Sequence, residues 1–204
     1  MDILTIPVTA FAVNCYVVKD GGEAIVIDPG DASDQVLRAI DGCTVTAIVN
    51  THAHCDHCAG NAALVEKTGA ELVLHEADVP LLDALEAQGQ MFGMACTPSP
   101  APDRFVADGD TITVGAVTLN VVHAPGHSPG HIMLTCDGVV FCGDVLFAGS
   151  IGRTDLPGGN CEQLMGSIRD KLLPLADDTV VYTGHGPATT IGKERSSNPF
   201  VVGL

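Results

Sequence analysis

The sequence predicts an α/β protein built as a four-layer αβ/βα sandwich, in which two sheets pack face to face and helices cover both outer faces. Strand-like and helix-like stretches alternate along the chain, and they do so in two halves of comparable length. The sequence contains no short-period repeat and no linker that would mark a domain boundary. Because 204 residues suffice for a substantial core, we expect a single domain over residues 1–204.

The first half opens with a predicted hairpin. Two stretches rich in Val and Ile, residues 11–19 and 23–28, flank Asp20-Gly21-Gly22, which is typical of a tight turn. An amphipathic helix follows, and an apolar strand then leads into a cluster of histidines. Beyond the hairpin, the pattern of this half predicts helices at 33–40, 61–68 and 76–87 and strands at 44–50 and 71–75.

Residues 88–103 interrupt the pattern, because Gly, Met and Pro dominate them. We expect a long loop here, and two interpretations of it stay open. It forms a lid or a wall of a substrate site, or it is a surface excursion.

The second half of the chain also alternates predicted strands and helices. Residues 111–122 form a predicted pair of strands around Gly115, and residues 132–141 form another around Asp137-Gly138. A helix at 161–173, with Asn160 as its cap, and a strand at 180–183 complete the pattern.

The charge of the chain argues against several classes of partner. The formal net charge is −16, from 9 Lys and Arg against 25 Asp and Glu. An acidic surface repels phosphate backbones and anionic lipids, so we expect neither nucleic acid nor a membrane as a partner. The start of the chain lacks a basic segment, and no apolar run is long enough to cross a bilayer, so we expect a cytoplasmic protein.

Eight cysteines are present, and we expect them to be reduced in a chain of this length and location. Cys55 and Cys58 have the spacing of a redox or zinc pair, but no second such pair exists to complete a zinc tetrahedron. We therefore expect these two thiols to be neighbours of a site built from other residues.

The strongest chemical pattern is the segment 51–57, Thr-His-Ala-His-Cys-Asp-His. It offers four side chains that can bind a metal, His52, His54, Asp56 and His57, directly after an apolar strand. In an extended segment His52 and His54 point to the same side and can hold one ion. Imidazole and carboxylate ligands together suit zinc, iron or manganese.

Three more candidate ligands also follow predicted strands, and each has glycine beside it. They are His127, Asp144 and His185. A single histidine or aspartate at a turn is more often structural. Four strand ends that offer ligands to the same edge of the sheets predict a metal site.

In combination these motifs resemble the metallo-β-lactamase superfamily, and within it the glyoxalase II-like, hydroxyacylglutathione hydrolase-type proteins. The resemblance covers nearly the whole chain. Its motifs are H-x-H-x-D-H at 52–57, Gly126-His127-Ser128-Pro129-Gly130-His131, Phe141-Cys142-Gly143-Asp144, Gly184-His185-Gly186, Asn14-Cys15-Tyr16, Asp28-Pro29-Gly30 and Gly152-Arg153-Thr154-Asp155.

The resemblance implies two divalent metal ions, with zinc as the first expectation and iron or manganese as alternatives. It assigns one ion to His52, His54 and His127, the second to Asp56, His57 and His185, and a bridging role to Asp144. His131 then lies outside the ligand set. Asp56 is the implied catalytic residue, which orients the attacking water, and Arg153 is the implied contact to substrate.

The function implied is hydrolysis of a small thioester such as S-D-lactoylglutathione by a water activated between two ions. The longer glyoxalase II proteins continue into a helical region that holds glutathione, and residues 191–204 are too short to provide it. Support for glutathione is therefore weaker than support for hydrolysis.

Other functions stay open at this point. The main alternative is a mononuclear iron enzyme similar to the persulfide dioxygenases of the same superfamily, which share the Gly-Arg-Thr-Asp stretch. A non-catalytic metal-binding module is disfavoured by the complete ligand set, and a nuclease by the acidic charge. Lactonase and β-lactamase activities stay open, and the sequence does not determine the oligomeric state or the native metal.

Overall fold

A computed structural model describes all 204 residues, and its architecture is the predicted four-layer sandwich. The first sheet has six strands in the order β1-β2-β3-β4-β5-β6. Strand β2 pairs antiparallel with both β1 and β3, whereas β3 to β6 run parallel to one another. The strands are β1 (Asp2–Val8), β2 (Val13–Asp20), β3 (Glu23–Ile27), β4 (Thr44–Val49), β5 (Glu71–Leu74) and β6 (Arg104–Phe105).

The second sheet also has six strands, in the order β14-β13-β10-β9-β8-β7. Its only parallel pair is β10 with β13. The strands are β7 (Thr111–Val114), β8 (Val117–His123), β9 (Ile132–Cys136), β10 (Val139–Gly143), β13 (Val180–Thr183) and β14 (Thr189–Thr190), and a separate small hairpin joins β11 (Leu146–Phe147) to β12 (Ser150–Ile151).

Seven short helices accompany the sheets, and none has the length and apolar character needed to cross a membrane. They are α1 (Asp34–Ile40), α2 (Cys55–Cys58), α3 (Asn61–Thr68), α4 (Val79–Asp83), α5 (Leu85–Phe92), α6 (Cys161–Ser167) and α7 (Ile191–Ser197). A 3₁₀ turn at Glu76–Asp78 precedes α4, and a π-helical turn at Ile168–Leu172 continues α6.

Three apolar layers hold the sandwich together. The central layer lies between the sheets, where side chains such as Ile27 and Val49 of the first sheet pack with Leu134 and Phe141 of the second. A second layer joins the outer face of the first sheet to α1 and α3, and a third joins the outer face of the second sheet to α6 and α7. The alternation of inward and outward side chains along each strand gives each sheet these two apolar faces.

Most predicted elements are confirmed, with small shifts at their ends. Helix α1 begins at the Ser33 side chain, which accepts a hydrogen bond from the backbone N of Val36, and α6 begins at Asn160, which accepts one from Gln163. Both residues are typical helix caps.

Two predictions about residues 76–103 are wrong in detail. The helix predicted at 76–87 is three pieces, because Pro80 begins a new helix and the backbone turns again at Ala84. The predicted loop begins later than residue 88, since α5 continues to Phe92. Gly89 lies within that helix, and glycine is required there because a Cβ would lie 2.5 Å from the backbone O of Met94.

Strand β1 was not predicted. It lies at the edge of the first sheet, contains Pro7, and exposes most of its residues, so it lacks the clean alternation of a half-buried strand. The two-residue strands β6, β11, β12 and β14 were not predicted either, because they are too short for any periodicity to appear.

The topology brings the predicted ligands to one edge. The parallel strands β3, β4 and β5 end on the same side of the first sheet, as β10 and β13 do in the second. Loops that leave the carboxyl ends of parallel strands meet at that edge, where ligands of α/β proteins usually bind.

Candidate metal centre

Five chain segments carry the seven predicted ligands into this edge. His52 and His54 lie on the extended stretch after β4, and Asp56 and His57 lie on α2, the single helical turn that follows. The other three lie on the turn after β8, at the end of β10 and after β13. They are His127, Asp144 and His185.

Three imidazole nitrogens converge in a first group. His127 Nε2 lies 2.9 Å from His54 Nδ1 and 3.2 Å from His52 Nε2. Two nitrogens bound to one tetrahedral zinc ion at 2.0–2.1 Å are about 3.3 Å apart. The spacing of this group is therefore that of ligands around a single ion, and all three side chains are buried.

A second group is formed by one carboxylate and two imidazoles. His185 Nε2 lies 3.4 Å from Asp56 Oδ2, and His57 Nε2 lies 3.9 Å from the same oxygen. These distances also suit ligands of one ion, and the three side chains satisfy the geometry of a metal group.

Asp144 lies between the two groups. Its Oδ2 is 3.4 Å from His127 Nε2 and 3.5 Å from His185 Nε2, while its Oδ1 is 3.5 Å from His57 Nε2. One carboxylate thus faces ligand atoms of both groups, and this is the residue to which the family resemblance assigned a bridging role.

The outward-facing nitrogens of the histidines fix which nitrogen carries the proton. His127 Nδ1 lies 2.7 Å from the backbone O of Arg153, and His185 Nδ1 lies 3.0 Å from that of Phe11. A carbonyl oxygen can only accept, so each Nδ1 carries a hydrogen, and in the neutral imidazole each Nε2 keeps a free lone pair. Metal-binding histidines are oriented in this way by their outer partners.

Asp28 lies against Nδ1 of His57, the ring nitrogen that faces away from the ligand groups. Its Oδ2 lies 3.1 Å from His57 Nδ1 and accepts a 2.7 Å hydrogen bond from the Thr51 hydroxyl, while Oδ1 accepts one from the Thr51 backbone N. The hydroxyl of Thr51 in turn lies 3.0 Å from His52 Nδ1 and accepts its hydrogen. Asp28 thus helps to direct the Nε2 atoms of both histidines inward.

Asp28, His52 and His57 are also close enough to form a metal group of their own. We assign Asp28 a supporting role instead, because both of its oxygens already accept hydrogen bonds from Thr51. Its backbone has a φ of 52°, which is costly for a residue other than glycine, and its side chain is buried.

Burial sets the charge state of His52 and His54 in the first group. Desolvation lowers the pKa of His52 well below its usual range and that of His54 to about 3, so both imidazoles are neutral at neutral pH. Burial acts in the same direction on His57, but the carboxylates around it, with Asp144 the strongest, outweigh burial and raise its pKa. The second group therefore attracts positive charge.

The residues present fit a pair of divalent cations. His57 Nε2 and Asp144 Oδ1 are buried polar atoms without a hydrogen-bond partner, and they face each other inside the cluster. Buried polar atoms are almost always satisfied, so unsatisfied imidazole and carboxylate atoms that converge at one place indicate a cation site. Neutral imidazole and ionised carboxylate are the ligand forms that zinc, iron and manganese bind.

Residues near the start of the chain hold the loop that carries His185. Asn14 Nδ2 donates to the backbone O of Thr183 and of Gly186, and the Tyr16 hydroxyl donates to Thr183 O as well. Gly184 is required in this loop, because a Cβ there would lie 2.0 Å from Asp144 Oδ1.

His131 and Asp78 support the other loops. The Asp144 backbone N donates to His131 Nε2 at 3.0 Å, so His131 holds Asp144 and lies outside both ligand groups. The Asp78 carboxylate accepts hydrogen bonds from the backbone N atoms of Ala53 and Gly130 and from the Ser128 hydroxyl. It therefore ties the segment of the first histidines to the turn that carries His127.

The sequence assigned no role to Asp78, and Asn14 and Asp28 appeared only as parts of family motifs. The one local pattern that could have found Asp28 is an aspartate before Pro-Gly at the end of an apolar strand. Cys55 and Cys58 are buried in a small apolar cluster with Leu74, and all eight cysteines are free.

A cavity of about 350 Å³ opens onto the cluster. Five of the predicted ligands line it, and its walls are largely apolar, with Phe11 and Phe92 packed edge to face at 6.4 Å. Arg153 is the only Lys or Arg in the lining. Of residues 88–103, which we predicted as a loop, only Phe92 lines the cavity, and it belongs to α5.

Comparisons with known proteins agree with this geometry. The model of the metallo-β-lactamase superfamily matches residues 8–185, a segment that contains every residue of both ligand groups. The hydroxyacylglutathione hydrolase GloC of Haemophilus influenzae is 41% identical over 98% of this chain and 98% of its own length.

Two solved structures are similar over almost their whole length. The BLEG-1 B3 metallo-β-lactamase superposes with a TM-score of 0.92 at 37% identity, covering 99% of this chain and 100% of that one. TTHA1623 in a di-iron-bound form superposes with a TM-score of 0.89 at 37% identity, covering 97% and 99%. With its fold, its histidine and aspartate cluster and its relatives in agreement, this chain is a member of the metallo-β-lactamase superfamily of metallo-hydrolases.

Proposed function

We propose that this protein is a metal-dependent hydrolase of small thioesters, and that glutathione thioesters such as S-D-lactoylglutathione are among its substrates. The observation that carries the proposal is the pair of complete ligand groups that share Asp144 at the floor of the cavity. The 41% identity to a hydroxyacylglutathione hydrolase along the whole chain supports the choice of thioester.

Two ions held by these residues would lower the pKa of a water molecule and polarise the thioester carbonyl. The chain itself supplies the remaining functions. His52, His54 and His127 would hold the first ion, Asp56, His57 and His185 would hold the second, and Asp144 faces ligand atoms of both groups.

Asp56 has a further role in this proposal. Its carboxylate is partly exposed to the cavity, and its pKa is lowered because His57 and His185 outweigh the effect of burial. An ionised carboxylate in this position can accept a hydrogen bond from the attacking water and so orient it.

The walls of the cavity bind the rest of the substrate. Phe11, Phe92 and Phe147 pack against the acyl group and the thiol carrier and exclude water from them. At the rim Arg153 offers its guanidinium to an anionic carrier.

The first test is hydrolysis of S-D-lactoylglutathione by zinc-loaded protein. We expect turnover that a chelator abolishes and that Asp56→Asn reduces by at least tenfold, since loss of a positioned acid–base group costs about 10²–10⁴ in rate. Asp31→Asn, an exposed aspartate outside the cluster, is the matched control and should retain wild-type activity. If the metal-loaded wild type turns over no thioester, the proposal is wrong.

An iron-dependent dioxygenase of persulfides is the alternative that shares the Gly-Arg-Thr-Asp stretch. It differs from the hydrolase in metal content and in co-substrate, because it uses one iron and consumes O₂. Metal analysis of the purified protein and oxygen uptake with glutathione persulfide distinguish the two, and two ions per chain without oxygen uptake support the hydrolase.

We propose zinc as the native metal, although the ligand set also accepts iron and manganese. We also propose a cytoplasmic location, on the grounds that eight cysteines are present and none is paired. A small molecule is the proposed partner, because the net charge of −16 opposes binding to nucleic acid.

A further inference from the structure

The rim of the cavity contains an ion pair with a specific geometry. Arg153 Nε lies 2.7 Å from Asp155 Oδ1, and Nη2 lies 2.8 Å from Oδ2, so one edge of the guanidinium is fully occupied by the carboxylate. Arg153 lines the cavity and Asp155 does not. The pair is ionised at neutral pH, since the hydrogen bonds from Arg153 lower the pKa of Asp155 to about 2.

The other edge of the guanidinium has no protein partner. A guanidinium carries five N–H donors in a planar fork, and the hydrogen bonds of the Arg153 side chain to Asp155 use only Nε and one hydrogen of Nη2. The outer hydrogens of Nη1 and Nη2 remain, and together they match the two oxygens of a carboxylate.

We propose that Asp155 is a positioning residue that acts through Arg153 and sets the preference of the site for thioesters whose carrier bears a carboxylate. Asp155 holds one edge of the guanidinium so that the free edge receives the substrate carboxylate. This inference rests on the proposed thioesterase function and adds to it the charge of the carrier.

Two opposite effects of Asp155 have to be compared. Its negative charge repels a substrate carboxylate across the width of the guanidinium. At a separation of about 6–7 Å in water this repulsion weakens binding by a factor of about three, and by less in salt. Its hydrogen bonds to Arg153 restrict a long side chain. The entropy lost when such a side chain is fixed on binding lowers affinity by up to about thirtyfold, and Asp155 removes part of that loss in advance. We therefore expect positioning to outweigh repulsion.

The size of the effect is limited because the pair is exposed. The side chains of Arg153 and Asp155 are 54% and 68% exposed. Exposed pairs are weak, so Asp155→Asn should raise KM for S-D-lactoylglutathione by about two- to fivefold. We expect kcat to stay within about twofold, because Asp155 lies outside the cavity and contacts neither ligand group.

The chain provides a matched control at Arg169 and Asp170. This pair has the same geometry, with 2.7 Å for Nε to Oδ1 and 2.8 Å for Nη2 to Oδ2, and similar exposure at 56% and 59%. Neither residue lines the cavity. Asp170→Asn should therefore leave KM unchanged.

A substrate with the same acyl group and a neutral carrier separates carrier recognition from a general effect on the site. For S-D-lactoyl-N-acetylcysteamine we expect Asp155→Asn to have the KM of the wild type. In the Arg153→Gln background Asp155→Asn should have no further effect on either substrate, and Asp155→Glu should restore part of the affinity for the anionic one.

Calorimetric binding of S-methylglutathione, which has no thioester to cleave, tests the inference independently of catalysis. We expect the zinc-loaded wild type to bind it and Asp155→Asn to weaken binding by the same two- to fivefold factor. If the protein binds S-methylglutathione in this way but hydrolyses no thioester, the proposed function fails and the role of Asp155 stands. The inference is overturned if the wild type does not bind, if Asp155→Asn leaves binding unchanged or tightens it, or if Asp170→Asn has an equal effect.

Discussion

At the scale of single residues, the site depends on side chains that never face the cavity. The predicted ligands follow from a motif whose members are close in sequence or carry glycine beside them. Asp28 and its partner Thr51 are 23 positions apart, so no local pattern connects them. The direction in which each imidazole presents its lone pair is set by such distant partners and becomes visible only in three dimensions.

Replacing Asp28 by asparagine should impair metal binding without removing a ligand. The amide would place an N–H donor either against His57 Nδ1, which lies 3.1 Å from Asp28 Oδ2, or against the backbone N of Thr51, whose hydrogen bond the carboxylate now accepts. In the first case the proton of His57 moves to Nε2 and blocks its lone pair. We expect an affinity loss of about 10–100-fold for the metal of the second group, measured by calorimetric zinc titration.

Asp31→Asn is the control for that measurement, because Asp31 is exposed and lies three residues away. Circular dichroism establishes whether each variant is folded. An unchanged titration for a folded Asp28→Asn variant would contradict the supporting role of this residue.

At the scale of elements, the sequence predicted the alternating strands and helices because their apolar periodicity is local. Prediction from the sequence failed where tertiary contacts determine the secondary structure. Gln88 was predicted to lie in a loop, but it is part of α5. Its side chain accepts a hydrogen bond from the Cys55 backbone N and donates to the backbone O of Ala53 and Leu81, and none of these residues belongs to the predicted loop. Strand β1 pairs with β2, even though it contains Pro7 and lacks the alternation of buried and exposed residues that would predict a strand.

The 3₁₀ turn before α4 gives a test at this scale, since Asp78 at its end joins two ligand-bearing loops. In Asp78→Asn one of the three donors that the carboxylate accepts would face an N–H instead of an oxygen. We expect the free energy of unfolding to fall by about 1–3 kcal/mol, the usual cost of leaving a buried donor unsatisfied. Urea denaturation of the metal-free protein measures this change.

Asp83→Asn, on the exposed face of the adjoining helix α4, is the matched control and should change stability by less than about 0.5 kcal/mol. Equal effects of the two substitutions would mean that the hydrogen bonds of Asp78 contribute nothing to stability.

At the scale of the whole molecule, both halves of the chain contribute to each ligand group. The first group combines His52 and His54 with His127, and the second combines Asp56 and His57 with His185. An ion in either group therefore joins loops of the first sheet to loops of the second. Metal binding should stabilise the packing of one sheet on the other.

Removal of metal should accordingly lower the melting temperature. Free zinc at 100 times its dissociation constant stabilises a protein by about 2.7 kcal/mol. For a chain of this size that corresponds to roughly 5–10 °C, which differential scanning calorimetry of chelated and zinc-loaded protein can measure. The added stability should grow with zinc concentration.

The Asp144→Asn variant should lose most of this zinc-dependent gain, whereas Asp137→Asn, in the exposed turn between β9 and β10, should keep it. A melting temperature that does not respond to zinc would show that the cluster holds no ion with useful affinity.

The division of each ligand group between the halves has a consequence for how the protein matures on the ribosome. When translation has passed His127, every residue of the first group exists, although β9, β10, β13 and β14 of the second sheet are still to be synthesised. The second group cannot assemble until His185 has been synthesised, which happens after β13. The two positions therefore become available in a fixed temporal order, and a chain released early by premature termination can acquire one complete ligand group and never the other.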